Sequence, residues 1–534
     1  MTGFTFRRFG GALAAGLLFA GLFGGALPAS AQKVLRIANQ GEPETLDPHK
    51  TSTTVESNVL RNLFEGLVVQ DTKGNPAPGV AEKWSVSEDG VVYTFKLRGD
   101  AKWSNGDAVT ASDFVFSLRR IQDPKLKSQY AEVLYPIKNA EEVNTGKAEL
   151  SQLGAKAVDP QTLEITLKAP TPYFVQLLTH QTGLPVSEKV VTQLGDEWVK
   201  PGKMVSNGAY VLDEVKPASH IKVVKNPKYW DAGKVKIDAI VFDPMEDRSQ
   251  VLKRYRAGEF DIVYGDLPND QLEWLKQNMP KELHIAPYAG IYYYTFNTTK
   301  PPLNDVKLRT ALSMAIDRQT LVDKITLAGE LPAYGFIPDG TAGYASQRVL
   351  WAKMSQAERE AEAVKLMKEA GYGPDKPLKL TLNYNTSENH KKIAVAIASM
   401  WKKLGVDVDL VNTELKVHYA NLRQGDFQVG RAGWIADYND AQNYLFLAQT
   451  STKQQNYSKF SNPDYDKLMD QASVTSEEKK RAPLMQQAEA IMLKELPVMP
   501  IYFYVAKNLV STKVHGWTDD NSFNVQYVKN MSLD

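Results

Sequence analysis

Helix-like and strand-like patterns of apolar residues alternate along the chain, most clearly between positions 354 and 413. Ser355 and Glu358 match the capping box that starts a helix, and an amphipathic run follows that ends at Gly371. The segment 379–383 then alternates apolar and polar residues, which is typical of a strand. This succession favours an α/β fold.

A second amphipathic helix follows, and its apolar residues share one face: Ile393, Ile397, Met400, Trp401 and Leu404. Gly405 and the alternating strand VDVDL come directly after it. The region from about 290 to 505 is therefore predicted to form a domain with its own sheet.

The earlier part of the chain is richer in strand patterns. Apolar residues alternate in VVYTFKLRGDAKWSNGDAV around an Asn105-Gly106 turn, and DPQTLEITLKAP predicts another short strand. We see no repeats and no low-complexity linker, so we expect strands that cross between domains. Such crossings act as hinges, and a cleft between hinged lobes is the expected ligand site.

The first 31 residues have the pattern of a secretory signal peptide. Arg7 and Arg8 precede an apolar run, and the tripeptide ASA at 29–31 matches a cleavage site. A retained membrane anchor is the alternative, but the run is short and rich in Gly and Ala. We expect an exported protein that begins at Gln32 after cleavage.

Composition narrows the possible functions. The sequence contains no cysteine, which excludes disulfides, thiolate metal sites, a cysteine nucleophile and a lipid on an N-terminal cysteine. Without Arg7 and Arg8 the chain has 61 basic and 62 acidic residues, so no general attraction to nucleic acid is expected. The 503 residues after position 31 are too many for one hydrophobic core and predict two or three domains.

The common catalytic motifs are missing from the sequence. H-E-x-x-H, G-x-S-x-G, a Walker loop and G-x-G-x-x-G after a strand do not occur. The seven histidines lack the spacing of a helical metal site, and His49 in LDPHK has no obvious partner as a ligand or a base. We expect no metal and no cofactor, although a glycosidase-like pair of carboxylates stays open.

One short stretch, RAGWIADYND at 431–440, places Arg431, Trp434 and Asp437 among small residues. The two charges could form a surface ion pair, a catalytic site or the two ends of a ligand clamp. As a catalytic site, Asp437 would act with a second carboxylate in an exported hydrolase. In YYYTFN at 292–297, alternation predicts that tyrosines on one face pack in a sheet while the other face can line a cleft.

A resemblance to a known family covers the chain from about Leu35 to Val510. It is carried, in order, by LDPHK, NLFEGLVVQDTKGNPAPGVAEKW, YTFKLRGDAKWSNGDAVTASDFVFSLRR, VSNGAYVLDEV with NPKYWD, YYYTFNTTKPPLNDVKLRTALSMAIDR, NYNTSENHKKIAVAIASMWKKLGV and RAGWIADYND. These segments resemble the periplasmic oligopeptide-binding proteins of ABC importers, in family 5 of the extracellular solute-binding proteins. The resemblance implies a monomeric, non-catalytic receptor that delivers short peptides to a membrane ABC permease and binds no nucleic acid.

The implied fold is α/β and two-lobed, of the large peptide-binding type, with three domains, mixed sheets and strands that cross the hinge. The resemblance places the signal peptide at 1–31, domain I at 32–64, 188–287 and 506–534, the β-rich domain II at 65–187, and the α/β domain III at 288–505. Relatives of this family also bind dipeptides, murein tripeptide or opines, and these solutes are the alternative ligands.

The resemblance also implies roles for residues at matching positions. Asp437 corresponds to the aspartate that binds the α-ammonium of a peptide, and Arg431 with His390 to the pair that receives a carboxylate. The main chain of Ala432, Gly433, Trp434 and Ile435 would pair with the peptide like an added strand. Further matched or candidate contacts are Tyr130, Ser52, Thr54, Tyr292, Tyr293, Tyr294, Tyr502 and Tyr504, with Trp434 also at the tryptophan of the clamp.

Two positions depart from the family pattern. An arginine that relatives often carry nine residues before Arg431 is replaced by Leu422, and Arg423 lies one step later. A tryptophan of many relatives is Leu415 here, which predicts a more aliphatic or wider side-chain pocket. These differences put the preferred peptide length in question, because Arg423 could either take or lose the role of the displaced arginine.

Overall fold

The computed structural model describes residues 32–265 and 267–534. The predicted signal peptide lies outside the described residues. Within these ranges no helix combines the length and the apolar character that a membrane span requires.

The helices and strands alternate along the described chain. The helices are α1 Thr54–Leu63, α2 Ala111–Gln122, α3 Ala140–Asn144, α4 Phe174–Leu177, α5 Glu188–Leu194, α6 Arg248–Arg256, α7 Leu272–Asn278, α8 Val306–Met314, α9 Arg318–Leu321, α10 Gln356–Glu369, α11 Glu388–Lys402, α12 Leu415–Gln424, α13 Gln442–Leu445, α14 Pro463–Ser473 and α15 Glu478–Glu495. The strands are β1 Val34–Asn39, β2 Val68–Gln70, β3 Pro76–Pro78, β4 Ala81–Val86, β5 Val92–Leu97, β6 Ala155–Asp159, β7 Thr162–Thr166, β8 Tyr210–Lys216, β9 His220–Lys225, β10 Ala239–Pro244, β11 Ile262–Val263, β12 Leu283–Phe296, β13 Leu331–Pro332, β14 Leu378–Asn385, β15 Val406–Thr413, β16 Val429–Ile435, β17 Val498–Val510, β18 Val514–His515 and β19 Ser532–Leu533.

The predicted elements around 354–413 are confirmed. Ser355 caps α10, with the Glu358 carboxylate accepting from the Ser355 backbone at 2.7 Å. The apolar face of α11 is buried through Ile393, Ile397 and Trp401. β14 and β15 then pair in parallel, as a strand–helix–strand unit requires.

A large mixed sheet runs through the described chain in the order β15-β14-β16-β12-β17-β11-β1-β10-β9-β8, with β13 against β17. The sequence predicts a separate sheet for the region 290–505, and the strands of that region instead continue into strands from the first half of the chain. The sheet is continuous because β12 and β17 are long: they join β14, β15 and β16 on one side to β11, β1, β10, β9 and β8 on the other. Alternation identifies a strand but does not specify its neighbours.

The pairing of β12 with β17 is interrupted between Pro287 and Ile291, and its register shifts again between Tyr292 and Tyr293. The residues Leu283–Pro287 pair with Leu509–Val505, and pairing resumes at Ile291 opposite Phe503. β16 pairs with β12 from Gly290 onwards. The irregular segment at 288–290 therefore separates the two groups of strands.

A smaller antiparallel sheet, β4-β5-β7-β6, forms apart from the large one. Its strands lie within the region predicted to be β-rich. The predicted Asn105-Gly106 turn is confirmed, since Gly106 adopts a φ of +96° and donates to the Trp103 carbonyl at 2.8 Å. The division into domains I, II and III remains a prediction.

Candidate functional site

Segments that are far apart in the sequence line one large cavity. It encloses about 1470 Å³ of empty space, including open solvent. Among the predicted site residues, the lining includes Ser52, Thr54, His390, Arg431, Gly433, Trp434, Ile435, Asp437 and Tyr504, together with Leu415 and Tyr502. Ala432, Tyr130, Arg423 and Tyr294 lie outside this lining.

Asp437 lies just beyond the end of β16, and neutral donors surround its carboxylate. The hydroxyl of Tyr130 donates to Oδ2, and Asn443 Nδ2 lies 3.4 Å from the same atom. Burial and the neighbouring carboxylate raise the pKa of Tyr130, so this hydroxyl stays protonated. Asn443 also positions the turn, because its Oδ1 accepts from the Asp437 backbone at 2.9 Å and from Trp434 Nε1 at 3.1 Å.

His180 is a neighbour of Asp437 that sequence reasoning missed. Its Nε2 lies 3.3 Å from Asp437 Oδ1, while its Nδ1 accepts from the Thr182 backbone at 3.3 Å. Burial lowers the pKa of His180, although the Asp437 charge opposes this effect. The imidazole is therefore a neutral donor. No local motif marks His180, because it lies more than 250 positions from Asp437 in the sequence.

Arg431 is a buried cation whose contacts are neutral groups. Nη2 donates to the Tyr504 hydroxyl at 2.6 Å, and Nη1 donates to Asn385 Oδ1 at 3.2 Å. The guanidinium also lies over the Tyr292 ring, 4.7 Å from its centroid. Its Nε is buried without a hydrogen-bond partner among the described residues. Such a cation is costly to bury unless an anion joins it.

His390 lies close to this cation and is uncharged. Burial, and next the positive charge of Arg431, hold its pKa well below the usual range. Its Nδ1 is buried, and no group in the described part of the chain forms a hydrogen bond with it. His390 therefore offers a neutral polar group to the cavity rather than a second positive charge.

The tyrosines of β12 divide by face as alternation predicts. Tyr292 stacks on Tyr502 at 4.7 Å beside Arg431, whereas Tyr293 packs against Phe336 on the other face. Tyr294 pairs with Arg431 in register and is fully buried against the Tyr292 ring. Tyr292 and Tyr294 therefore lie on the same face of the sheet as Arg431, and the Tyr292 ring packs against its guanidinium.

The outer edge of β16 is open along the cavity. β14 pairs with β16 at Val429 and Gly430 and no further. The Arg431 carbonyl points away from β12, since it accepts from His418 Nε2 at 2.8 Å. In an antiparallel pair such directions alternate along the strand, so the main-chain groups of Gly433 and Ile435 also face this edge, whereas those of Ala432 and Trp434 face β12.

Gly433 is required at this edge by close approach. A Cβ at this position would lie 2.6 Å from the Tyr504 hydroxyl oxygen and 3.2 Å from Arg431 Nη2. The missing side chain allows Tyr504 to hold Arg431 next to the strand.

The two positions that depart from the family pattern have different surroundings. Leu415 lines the cavity. Leu422 is fully buried, and Arg423 Nη2 lies 3.7 Å from Glu44 Oε2, outside the lining.

His49 belongs to a buried cluster apart from the cavity lining. Arg120 donates to Asp47 at 2.9 and 2.6 Å and lies 3.0 Å from His49 Nδ1, while His49 Nε2 donates to the Leu184 carbonyl at 3.0 Å. Burial and the charge of Arg120 lower the pKa of His49 to about 4. These contacts give His49 a structural partner that the sequence did not reveal.

Comparison with known proteins identifies a family and close structural relatives. The family described as bacterial extracellular solute-binding proteins, family 5 Middle, matches residues 75–456. The chain is 42% identical over 507 residues to the periplasmic oligopeptide-binding protein OppA of Salmonella typhimurium, covering 94% of this chain and 93% of that protein. The structure of Haemophilus influenzae OppA in complex with RPPGFSPFR has a TM-score of 0.91 at 39% identity, covering 94% of this chain and 99% of that chain.

The periplasmic murein peptide-binding protein MppA of Escherichia coli is 44% identical over 495 residues, covering 92% of this chain and 91% of that protein. One MppA structure has a TM-score of 0.92 and covers 94% of this chain and 99% of that chain. Its unliganded open form has a TM-score of 0.66 and covers 94% and 98%. Because the sequence identity is 43% in both comparisons, the difference between the scores is one of conformation.

Proposed function

This chain belongs to the bacterial extracellular solute-binding proteins of family 5, and from that premise we propose that it is a periplasmic receptor for short peptides. One observation carries the proposal. Two charged groups of the cavity contact neutral partners: the Asp437 carboxylate accepts hydrogen bonds from neutral donors, and the buried Arg431 guanidinium contacts neutral groups. A zwitterionic peptide supplies the two opposite charges that these groups lack.

We propose that Asp437 binds the α-ammonium of the peptide. Tyr130, His180 and Asn443 hold the carboxylate by hydrogen bonds without neutralising it. An ammonium group would add a charge-assisted contact in a partly buried place, where such contacts are strong. Trp434 supports this turn through its bond to Asn443.

At the other end, Arg431 is proposed to bind the terminal carboxylate of a short peptide, with His390 as a neutral donor. A guanidinium can bond a carboxylate through two parallel hydrogen bonds. The Tyr504 hydroxyl and the Tyr292 ring fix its orientation. Arg423 faces Glu44 rather than the cavity, so we propose that it joins the two sides of the cleft instead of binding the ligand.

Between these ends, the open edge of β16 is suited to the main chain of an extended peptide. Gly433 and Ile435 would pair with the peptide as an added strand, and the segment with Ser52 and Thr54 would lie along the opposite side. Recognition through the main chain is tolerant of side chains. The receptor is therefore expected to accept many sequences.

The biological setting follows from the same proposal. We propose export with removal of residues 1–31, action as a monomer, and delivery of the peptide to an ABC permease in the membrane. The relatives described above are binding proteins by name, and no catalytic step is part of the proposal. Domains I, II and III are proposed to divide at the boundaries predicted from the sequence, with a hinge near 288–290.

Native mass spectrometry of protein purified without denaturation tests the function directly. We expect adducts with the masses of short peptides, released intact when the complex is dissociated. A bound murein fragment, an opine or another solute would overturn the peptide assignment. Progressive cleavage of added peptides would instead support the hydrolase.

A further inference from the structure

A second cavity, here called the side pocket, adjoins the end of the cleft that contains Asp437. It encloses about 700 Å³ including open solvent, and is lined by α1, the 179–184 segment and residues between 523 and 527. Thr54, His180, Ile435 and Asp437 line both cavities. The side pocket therefore adjoins the place proposed for the peptide N-terminus.

Arg61, on the last turn of α1, lines the side pocket. Its Nη1 is buried and has no hydrogen-bond partner among the described residues. Its positive charge acts on His180, where it adds to the effect of burial in lowering the pKa of that imidazole. A partly buried guanidinium in this situation favours a bound anion.

The remaining walls suit a short chain of methylene groups. Phe64, Val68, Leu184 and Phe523 supply apolar surface. Gln70 and Tyr527 add polar atoms at the same pocket. A group with a flexible apolar stem and a terminal carboxylate matches both the walls and the cation.

We infer that the side pocket selects peptides with an acidic first residue, whose side-chain carboxylate pairs with Arg61. The inference rests on the proposed function, because binding of the α-ammonium by Asp437 is what places the first side chain at the entrance of the side pocket. Asp437 itself does not neutralise Arg61 in the complex, since its charge is then matched by the ammonium. The site would make this receptor selective at one position while it stays tolerant elsewhere.

Isothermal titration calorimetry with Glu-Ala-Ala, Met-Ala-Ala and Ala-Glu-Ala tests the inference. Wild-type protein should bind Glu-Ala-Ala about tenfold more tightly than Met-Ala-Ala, as expected for a hydrogen-bonded charge pair. Arg61→Gln should abolish this preference and leave the affinity for Met-Ala-Ala and Ala-Glu-Ala nearly unchanged. Arg61→Lys should retain part of the preference, and Arg36→Gln, which removes an exposed charge on β1, should retain all of it.

Equal binding of Glu-Ala-Ala and Met-Ala-Ala by wild-type protein would overturn the inference, as would a preference that survives in Arg61→Gln. The wild-type comparison is decisive even if Arg61→Gln does not fold. Failure of the proposed function looks different, because none of the three peptides would then bind.

Discussion

At the level of single residues, the cleft depends on charges held by neutral groups. Tyr130, His180 and Asn443 orient Asp437, and Tyr504 and Asn385 orient Arg431. Neutral partners satisfy part of the hydrogen-bonding capacity of each group and leave its charge available. A ligand with complementary termini therefore gains from both ends at once.

We expect Asp437→Asn to weaken binding of tripeptides by roughly a hundredfold, because the charge-assisted contact to the ammonium is lost. N-acetylation of the peptide should cause a similar loss in wild-type protein and little further loss in the variant. Calorimetry measures both, with Asp520→Asn on the exposed surface as the matched control. Equal binding of acetylated and free peptides by wild-type protein would refute the role of Asp437.

Arg431→Gln should weaken binding in a way that depends on peptide length. The loss should be greatest, about tenfold or more, for peptides whose terminal carboxylate reaches Arg431. Amidation of the same peptides should reproduce it in wild-type protein. A uniform loss across all lengths, measured by calorimetry, would point to a structural role for Arg431.

His49 should make stability fall in mild acid. Its pKa is about 4 when folded and near 6.5 when unfolded, so its contribution is complete above pH 6.5 and is lost as the pH falls towards 4. Between pH 7 and pH 4.5 the unfolding free energy of wild-type protein should therefore fall by about 2 kcal/mol more than that of His49→Gln. Urea unfolding at the two pH values measures this difference, and parallel profiles for the two proteins would contradict it.

At the level of elements, the open edge of β16 depends on what β12, β14 and β17 leave uncovered. β14 stops pairing at Gly430, and Tyr504 from β17 reaches over Gly433 to hold Arg431. The strand is thereby fixed on one side and accessible on the other. This is the arrangement that addition of a peptide strand requires.

Gly433→Ala should weaken peptide binding several-fold, because the new Cβ would displace the Tyr504 hydroxyl. Tyr504→Phe removes that hydroxyl and also the bond to Arg431, so it should weaken binding by itself. In the Tyr504→Phe background, Gly433→Ala should reduce peptide affinity less than it does in wild-type protein. A double-mutant cycle in calorimetry should give a coupling of about 1 kcal/mol, whereas additive effects would contradict the steric explanation.

At the level of the whole molecule, contacts join the predicted domain II to domain III beside the cleft. Tyr173 stacks on Tyr438 with ring centroids 4.7 Å apart and planes 2° from parallel, and Asn439 N donates to Gln176 Oε1 at 3.3 Å. Arg481 lies over Tyr173 and forms a two-point ion pair with Asp440. We expect these contacts to stabilise the arrangement that encloses a ligand.

Tyr173→Ala should raise the dissociation constant of a tripeptide roughly three- to tenfold, because the variant cannot form the stacked aromatic pair with Tyr438 that stabilises the closed arrangement. Small-angle X-ray scattering should show that the ligand-free variant is at least as extended as ligand-free wild-type protein. At a subsaturating peptide concentration, the radius of gyration of the variant should decrease less than that of wild-type protein. Tyr372→Ala, away from this contact, is the matched control. An unchanged dissociation constant would show that the stack contributes nothing to closure.

Patterns in the sequence specify the local elements and identify the family. Capping at Ser355, the buried face of α11 and the turn at Gly106 follow from short-range patterns, because they depend on neighbours in the chain. Long motifs in a fixed order identify the family, because the motifs and their order are read from the sequence directly. Only the folded chain shows which distant groups meet: His180 with Asp437, Asn385 with Arg431, Glu44 with Arg423, and the shared sheet through β12 and β17. These contacts join segments tens to hundreds of residues apart, and no local pattern encodes them, since they arise only when folding brings the segments together.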